Sequence, residues 1–228
     1  MGNKRRAKDD DPDVKLSKKL SAILRHRIAE NGLDAVLRPD GYVPLASLLA
    51  TPGFQGVHQE QVRKVVEIND KKRFSMIEEG GVTFIRANQG HTSAGIAADK
   101  LLQRIDDGDA ALLGGGCGQV VHGTYYSSWD AIVASGGLHR MSRHHIHLAE
   151  GMPGEAGVIS GMRRSAQVFV WVDVCRAIAA GVPFYRSENG VILTPGRDGD
   201  GLLPIDAFAS VVDQRGRLWR DGDWWAQQ

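Results

Sequence analysis

The sequence predicts an α+β protein in two halves. Apolar residues recur at helical spacing in three segments before residue 70, and two strand-like runs then meet across Gly80-Gly81. Beyond residue 119 the pattern changes to many short apolar runs separated by glycines, the mark of a β-rich α+β lobe.

Residues 14–31 carry Leu16, Leu20, Ile23, Leu24 and Ile28 at helical spacing, and Gly32 ends the pattern. "GYVPLASLLATPG" reads as a turn and a short helix. "HQEQVRKVVEIND" sets Val62, Val65 and Val66 toward one side of a helix, with Ile68 at its margin. "KRFSMIEEGGVTFIRA" reads as a hairpin. Three helices followed by a hairpin is the order of a winged helix, expected over 14–90. That architecture is often used on nucleic acid, but fold alone does not establish the use.

Residues 91–118, with the run Gly114-Gly115-Gly116, read as a linker with at most one short helix. From 119 to 228 the expected order begins with a strand, "QVVHGTYY", and a helix, "SSWDAIVASGG", with a Ser cap and a Gly stop. Next come a strand, "HHIHLA", a buried strand, "AQVFVWVDV", and a helix, "CRAIAAG". A hairpin turning at Asn189-Gly190 as a type I′ pair follows, and "LLPIDAFASVVD" ends the reading as an edge strand or short helix.

Composition narrows the function classes. Twenty-eight Lys+Arg against 27 Asp+Glu give a net charge of +1, so no global polycation argument for nucleic acid is available. Any anion site must be built locally. Cys117 and Cys175 show no paired-motif spacing and fit a reduced compartment, so a cytoplasmic or nuclear location is expected. No membrane span or signal peptide is expected, and Arg6 stands where a myristoylation signal wants Ser or Thr. The charged tail 1–13 is expected to be disordered. No spare apolar face is evident, so a monomer is expected.

"SRHHIHLAEG" (142–151) is the densest cluster of functional side chains. On an extended strand Arg143, His145 and His147 share one face, while His144, Ile146 and Leu148 take the core face. Three readings stay open for the first face: structural histidines, a metal site, or an anion-binding pocket. His145 and His147 at i, i+2 suit zinc. The adjacent guanidinium of Arg143 repels a divalent ion, and no second ligand pair lies nearby. Arg25 and His26 sit about 100° apart on their helix and flank its apolar stripe. Arg86 lies where a strand gives way to a loop, as does His122, which precedes a glycine. Together these form a set of cations and imidazoles without matching carboxylates.

The blocks "LSKKLSAILRH", "GYVPLASLL", "RFSM", "IRANQGHT", "VHGTYYSSWDAIVASGGLHRMSRHHIHLA", "ISGMR" and "PFYRSENGVILTPG" occur in an order that resembles the NAD-dependent RNA (tRNA) 2′-phosphotransferase family. The resemblance implies a winged-helix RNA-binding lobe joined to an ADP-ribosyltransferase-like, split-sheet NAD lobe. It implies removal of the splice-junction 2′-phosphate from ligated tRNA through a 2′-phospho-ADP-ribosylated RNA, releasing nicotinamide and ADP-ribose 1″,2″-cyclic phosphate. ADP-ribosylation of terminal phosphates on RNA or DNA is the alternative within the same family. The family's catalytic set falls on Arg25, His26, Arg86 and Arg143. Its NAD-binding positions fall on His122, Gly123, Thr124, His145, His147 and Val191, and no metal is implied. Thr92 replaces the more usual Ser after "QGH" and keeps a hydroxyl.

Overall fold

The computed structural model describes residues 11–116, 118–155, 158, 162–163, 165–197 and 199–226. The chain divides into two compact units, Met1–Leu101 and Leu102–Gln228. Both mix helices with antiparallel sheet.

In the first unit, helix α1 spans Pro12–His26. The Asp11 side chain accepts a hydrogen bond from the Asp13 N–H at 2.8 Å, and Pro12 occupies the first turn, where its missing N–H costs nothing. Residues 11–13, expected as the end of a disordered tail, therefore cap and begin the helix. The first ten residues lie outside the described ones. α1 stops at His26, short of the expected Asn31. A 3₁₀ turn, Ala29–Asn31, follows and ends at Gly32, whose φ of 66° suits glycine.

Strand β1 is Val43–Pro44, helix α2 Leu45–Leu49 and helix α3 Gln59–Glu67. Strands β2 (Phe74–Glu79) and β3 (Val82–Ala87) form the expected hairpin, completed by β1 in the order β1-β3-β2. Gly80 and Gly81 have φ of 58° and 77°, the paired positive values of a type I′ turn. Leu20, Leu24, Leu48, Phe54, Val62 and Ile85 are buried in one core. Ile68, at the margin of the α3 stripe, is 55% exposed and stays outside it.

The stretch expected as a linker is more ordered than its glycines suggest. It holds helix α4 (Ala98–Leu101), strand β4 (Gln103–Ile105) and helix α5 (Asp107–Gly116), which departs from helical geometry at Leu113, Gly114 and Gly115. Apolar burial outweighs local propensity here, because Leu101, Ile105, Ala110 and Leu113 all enter protein cores.

In the second unit, β5 is Gln119–Thr124, helix α6 Tyr126–Ala134, β6 Gly137–His139 and β7 Ile146–Leu148. Strand β8 (Val168–Asp173) leads into helix α7 (Val174–Ala179), which Asp173 caps through the Arg176 N–H. The remaining strands are β9 (Phe184–Arg186), β10 (Ile192–Thr194), β11 (Leu202–Pro204), β12 (Phe208–Asp213), β13 (Leu218–Arg220) and β14 (Asp223–Trp225). They form a four-stranded sheet, β4-β9-β10-β7, a five-stranded sheet, β14-β13-β12-β8-β5, and the pair β11-β6. The final "LLPIDAFASVVD" segment is two strands about a 3₁₀ turn, and β13 and β14 follow it.

Several local expectations change. The residue before α6 is Tyr125, with no side-chain cap, so the expected Ser cap is absent. The 187–191 turn is not type I′. Only Gly190 has positive φ, the Gly190 N–H bonds the Ser187 carbonyl, and the Ser187 N–H bonds the Val191 carbonyl. β8 is interior to its sheet but buries only alternate residues: Val168, Val170 and Val172 are fully buried, while Phe169 and Trp171 are partly exposed. One face is core and the other is not.

Candidate active site

The second unit contains a pocket of about 240 Å³ where its two larger sheets meet. The sheets join through one antiparallel bridge, Val121 of β5 to Ala149 just after β7, with hydrogen bonds of 2.8 and 2.9 Å. One residue further along, a side chain replaces the ladder: His122 Nδ1 lies 2.8 Å from the His147 carbonyl oxygen. Beyond that link the strands part, and the pocket is lined by His122, Gly123, Thr124, Arg143, His147 and Arg163, among others. Among the described residues, none that lines it is acidic.

A carbonyl only accepts, so the Nδ1 of a neutral His122 carries the proton and Nε2 carries the lone pair. Burial pushes the His122 pKa down. The His147 carbonyl opposes this by raising it, and the positive charge of Arg143 adds to the lowering. His122 is accordingly a neutral acceptor near neutral pH, beside a guanidinium that is always charged. Tyr125, at the rim, has a lowered pKa through hydrogen bonds first to Ser165, whose Oγ is 3.0 Å away, and then to Arg163.

Gly123 permits close packing. A Cβ at this position would lie 2.4 Å from Met162 Cγ and 2.5 Å from its Sδ. Gly123→Ala is expected to destabilise the protein by about 1–3 kcal/mol through overpacking, read from the urea midpoint. An unchanged midpoint would mean that Met162 moves aside without cost.

The "HHIHLA" segment is extended only over Ile146–Leu148, and residues 141–145 form an irregular turn. Strand alternation therefore does not reach Arg143 or His145. Arg143 still lines the pocket with His147. His145 turns elsewhere: its ring meets Tyr185 at 6.0 Å and His144 at 6.3 Å. Burial first, then the His144 and Arg140 charges, lower its pKa to about 4. Val191 is also absent from the lining. It is buried in the β9–β10 turn, its N–H bonded to Ser187 Oγ at 3.0 Å.

In the first unit three segments gather around Arg25, His26 and Arg86. The Arg25 carbonyl, at the end of α1, accepts from the Thr92 N–H at 2.9 Å, and His26 Nδ1 lies 3.0 Å from Thr92 Oγ1. The Arg86 guanidinium stacks over Tyr42, 4.5 Å from its ring centroid, and donates to the Asp40 carbonyl at 2.9 Å. A Cβ on Gly41 would lie 3.9 Å from both Arg86 Cβ and His91 Nε2. The end of α1, the 40–42 turn and the 86–93 segment thus form one basic corner.

Sequence reasoning did not single out Met162, Arg163, Tyr125, Tyr42 or His91. All five fall within the quoted blocks "ISGMR", "VHGTYYSSWDAIVASGGLHRMSRHHIHLA", "GYVPLASLL" and "IRANQGHT", which was the available signal. Ile159, Ser160 and Gly161 of the first block lie outside the described residues. Among the described residues, no group of three or more His, Cys, Asp or Glu side chains is placed to hold one metal ion.

Comparison with known proteins gives the family. A relative from Schizosaccharomyces pombe is 43% identical over 91% of this chain, which spans about half (53%) of that protein's length. The tRNA 2′-phosphotransferase 1 proteins of Bos taurus and Homo sapiens are each 43% identical. These matches cover 91% and 87% of this chain, and 78% and 76% of the respective relatives. The match to the family described as RNA 2′-phosphotransferase, Tpt1 / KptA runs over residues 11–196, through both the basic corner and the pocket, and the chain belongs to that family.

Proposed function

We propose that the chain removes the 2′-phosphate from ligated tRNA with NAD as co-substrate and without a metal. The observation that carries this reading is the pocket at the sheet junction, whose described lining holds arginine and histidine but no acid, in a chain of this family. The order of three helices and a hairpin supports a winged-helix RNA lobe for the first unit. The two sheets joined at Val121 and Ala149 support an ADP-ribosyltransferase-like lobe for the second.

The pocket suits a dinucleotide in its donors and acceptors. His122 and Thr124 are suited to the nicotinamide ribose and carboxamide, through the imidazole lone pair and the hydroxyl. His147 fixes a ribose hydroxyl, and Arg143 takes phosphate oxygens. When bound, NAD supplies an electrophilic ribose carbon with nicotinamide as its leaving group.

The RNA phosphate needs no base. A phosphate monoester with a second pKa near 6 is largely a dianion at neutral pH. What it needs is capture and orientation, and Arg25, His26 and Arg86 provide guanidinium and imidazole donors for both. Positioning of this kind contributes on the order of 7–11 kcal/mol. Arg143 stabilises the extra charge that develops on phosphorus in transesterification.

Incubation with RNA labelled in its 2′-phosphate, with and without NAD, tests the reading. Label is expected to leave the RNA only with NAD, at a rate that EDTA does not change. Release without NAD, or release abolished by EDTA, overturns it.

A further inference from the structure

We propose that Arg140 is a positioning residue for the reaction, clamping the turn that carries Arg143 at the pocket. This rests on the reading of that pocket as the site of 2′-phosphate removal, and it adds a residue that acts through Arg143.

Arg143 sits on a segment that a sheet does not hold. β7 begins only at Ile146, and residues 141–145 form an irregular turn. The Arg143 N–H bonds the Arg140 carbonyl at 3.2 Å, and Met141 between them has a φ of 55°. A methionine in the left-handed region is strained, and such a conformation persists only where its surroundings enforce it. Met141 is 79% exposed, so burial of its own side chain does not offset the strain.

Arg140 supplies the enforcement at both ends of the turn. Its Nη1 donates to the Arg143 carbonyl at 2.9 Å. Its own backbone N–H bonds the Gly201 carbonyl at 3.1 Å, and its side chain lies across Gly201. A Cβ at Gly201 would stand 2.6 Å from Arg140 Nε and 2.9 Å from its Cγ, so the close approach needs glycine. Gly201 is anchored in turn. Its N–H bonds the Arg197 carbonyl at 3.2 Å, and the Arg197 N–H bonds the Leu202 carbonyl at 2.8 Å. Leu202 opens β11, which pairs with β6 and sets the buried Leu203 opposite the buried Leu138. Arg140 therefore ties the Arg143 backbone to a strand pair rooted in the core. The bond is exposed, and its loss changes overall stability little. It matters for rate, because displacing a reacting group by about 1 Å costs on the order of 10²-fold.

The test compares Arg140→Met, Arg143→Ala and the double variant in the full chain, with NAD and RNA labelled in its 2′-phosphate. Arg140→Met keeps an unbranched stem over Gly201 and removes the donors. Its kcat is expected to fall by about 10–100-fold, with the urea midpoint near that of wild type. In the Arg143→Ala background the same substitution is expected to cost less than about twofold, because residues that act through one another do not add. Arg140→Lys keeps a charge and a shorter donor, and is expected to recover part of the loss. The second readout needs no reaction. Burial lowers the His122 pKa and the Arg143 charge adds to the lowering, so the His122 titration reports where that guanidinium sits. In Arg140→Met the imidazole is expected to titrate at higher pH by NMR, part of the way toward Arg143→Ala. Wild-type kcat in Arg140→Met, losses that multiply in the double variant, or an unmoved His122 titration overturns the proposal. Multiplying losses mark Arg140 as a direct substrate contact instead. A wild type that removes no phosphate with NAD overturns the enzymatic reading alone, and the His122 titration then decides the clamp by itself.

Discussion

Arg143→Ala is expected to slow 2′-phosphate removal by about 10²–10³-fold, the usual cost of losing one preorganised donor to a developing oxyanion. Arg143 comes from an irregular turn and shares the pocket with His122, Thr124 and His147. Arg143→Lys keeps the charge but not the planar fork, and should recover only part of the loss. On the proposed route, in which charge builds up on phosphorus after nicotinamide leaves, nicotinamide release should fall less than phosphate removal. A second readout isolates the electrostatics. The Arg143 charge helps hold the His122 pKa down, so its removal should move the imidazole titration to higher pH. NMR of the His122 ring follows that shift directly. Turnover within twofold of wild type, with an unmoved His122 titration, would sink the assignment.

Asp213→Ala is expected to destabilise the second unit by about 3 kcal/mol, measured by urea denaturation at pH 7. Its carboxylate is fully buried and takes four hydrogen bonds: the Tyr126 hydroxyl and Arg217 Nε, each at 2.7 Å, and the Arg217 and Arg215 N–H groups at 2.8 and 2.9 Å. Burial alone would raise its pKa. The bonds from Tyr126, Arg217 and Arg215 override burial and hold it at about 2. A carboxyl with a depressed folded pKa adds stability that is present above its unfolded value of about 3.9 and is lost as pH falls toward about 2. The contribution at neutral pH is about 2.5 kcal/mol. Wild type should lose this increment between pH 4 and pH 2, and Asp213→Asn should lack that part of the acid limb. The consequence reaches the pocket, because Tyr126 begins α6 directly after Thr124 and Tyr125. Edge-to-face contacts of Tyr126 with Trp224 (5.8 Å) and of Trp129 with Trp219 (5.3 Å) pack beside it.

Legibility in the sequence followed periodicity. The apolar stripe of α1, the Gly80-Gly81 hairpin and β5 with its His122-Gly123-Thr124 end could each be read locally, because each is set by neighbours a few residues apart. The linker reading failed at Ala98–Gly116, where glycines suggested looseness and nonlocal burial of Ile105 and Leu113 imposed order. Strand alternation grouped Arg143, His145 and His147, but it holds only inside a strand, and β7 begins at Ile146. Outside it, packing against Tyr185 turned His145 away from the pocket, while Arg143 remained at its edge.

Residue types and their spacing by themselves determined the first helices, the Gly80-Gly81 hairpin and β5, and the ordered blocks carried the resemblance to the family. Tertiary structure alone decided that His147 and not His145 lines the pocket, that Val191 is held in a turn, and that Met162 packs on Gly123. The physical reason is that the pocket exists only where β5 and β7 part after the Val121–Ala149 bridge. That pairing joins segments 28 residues apart, and no local period encodes it.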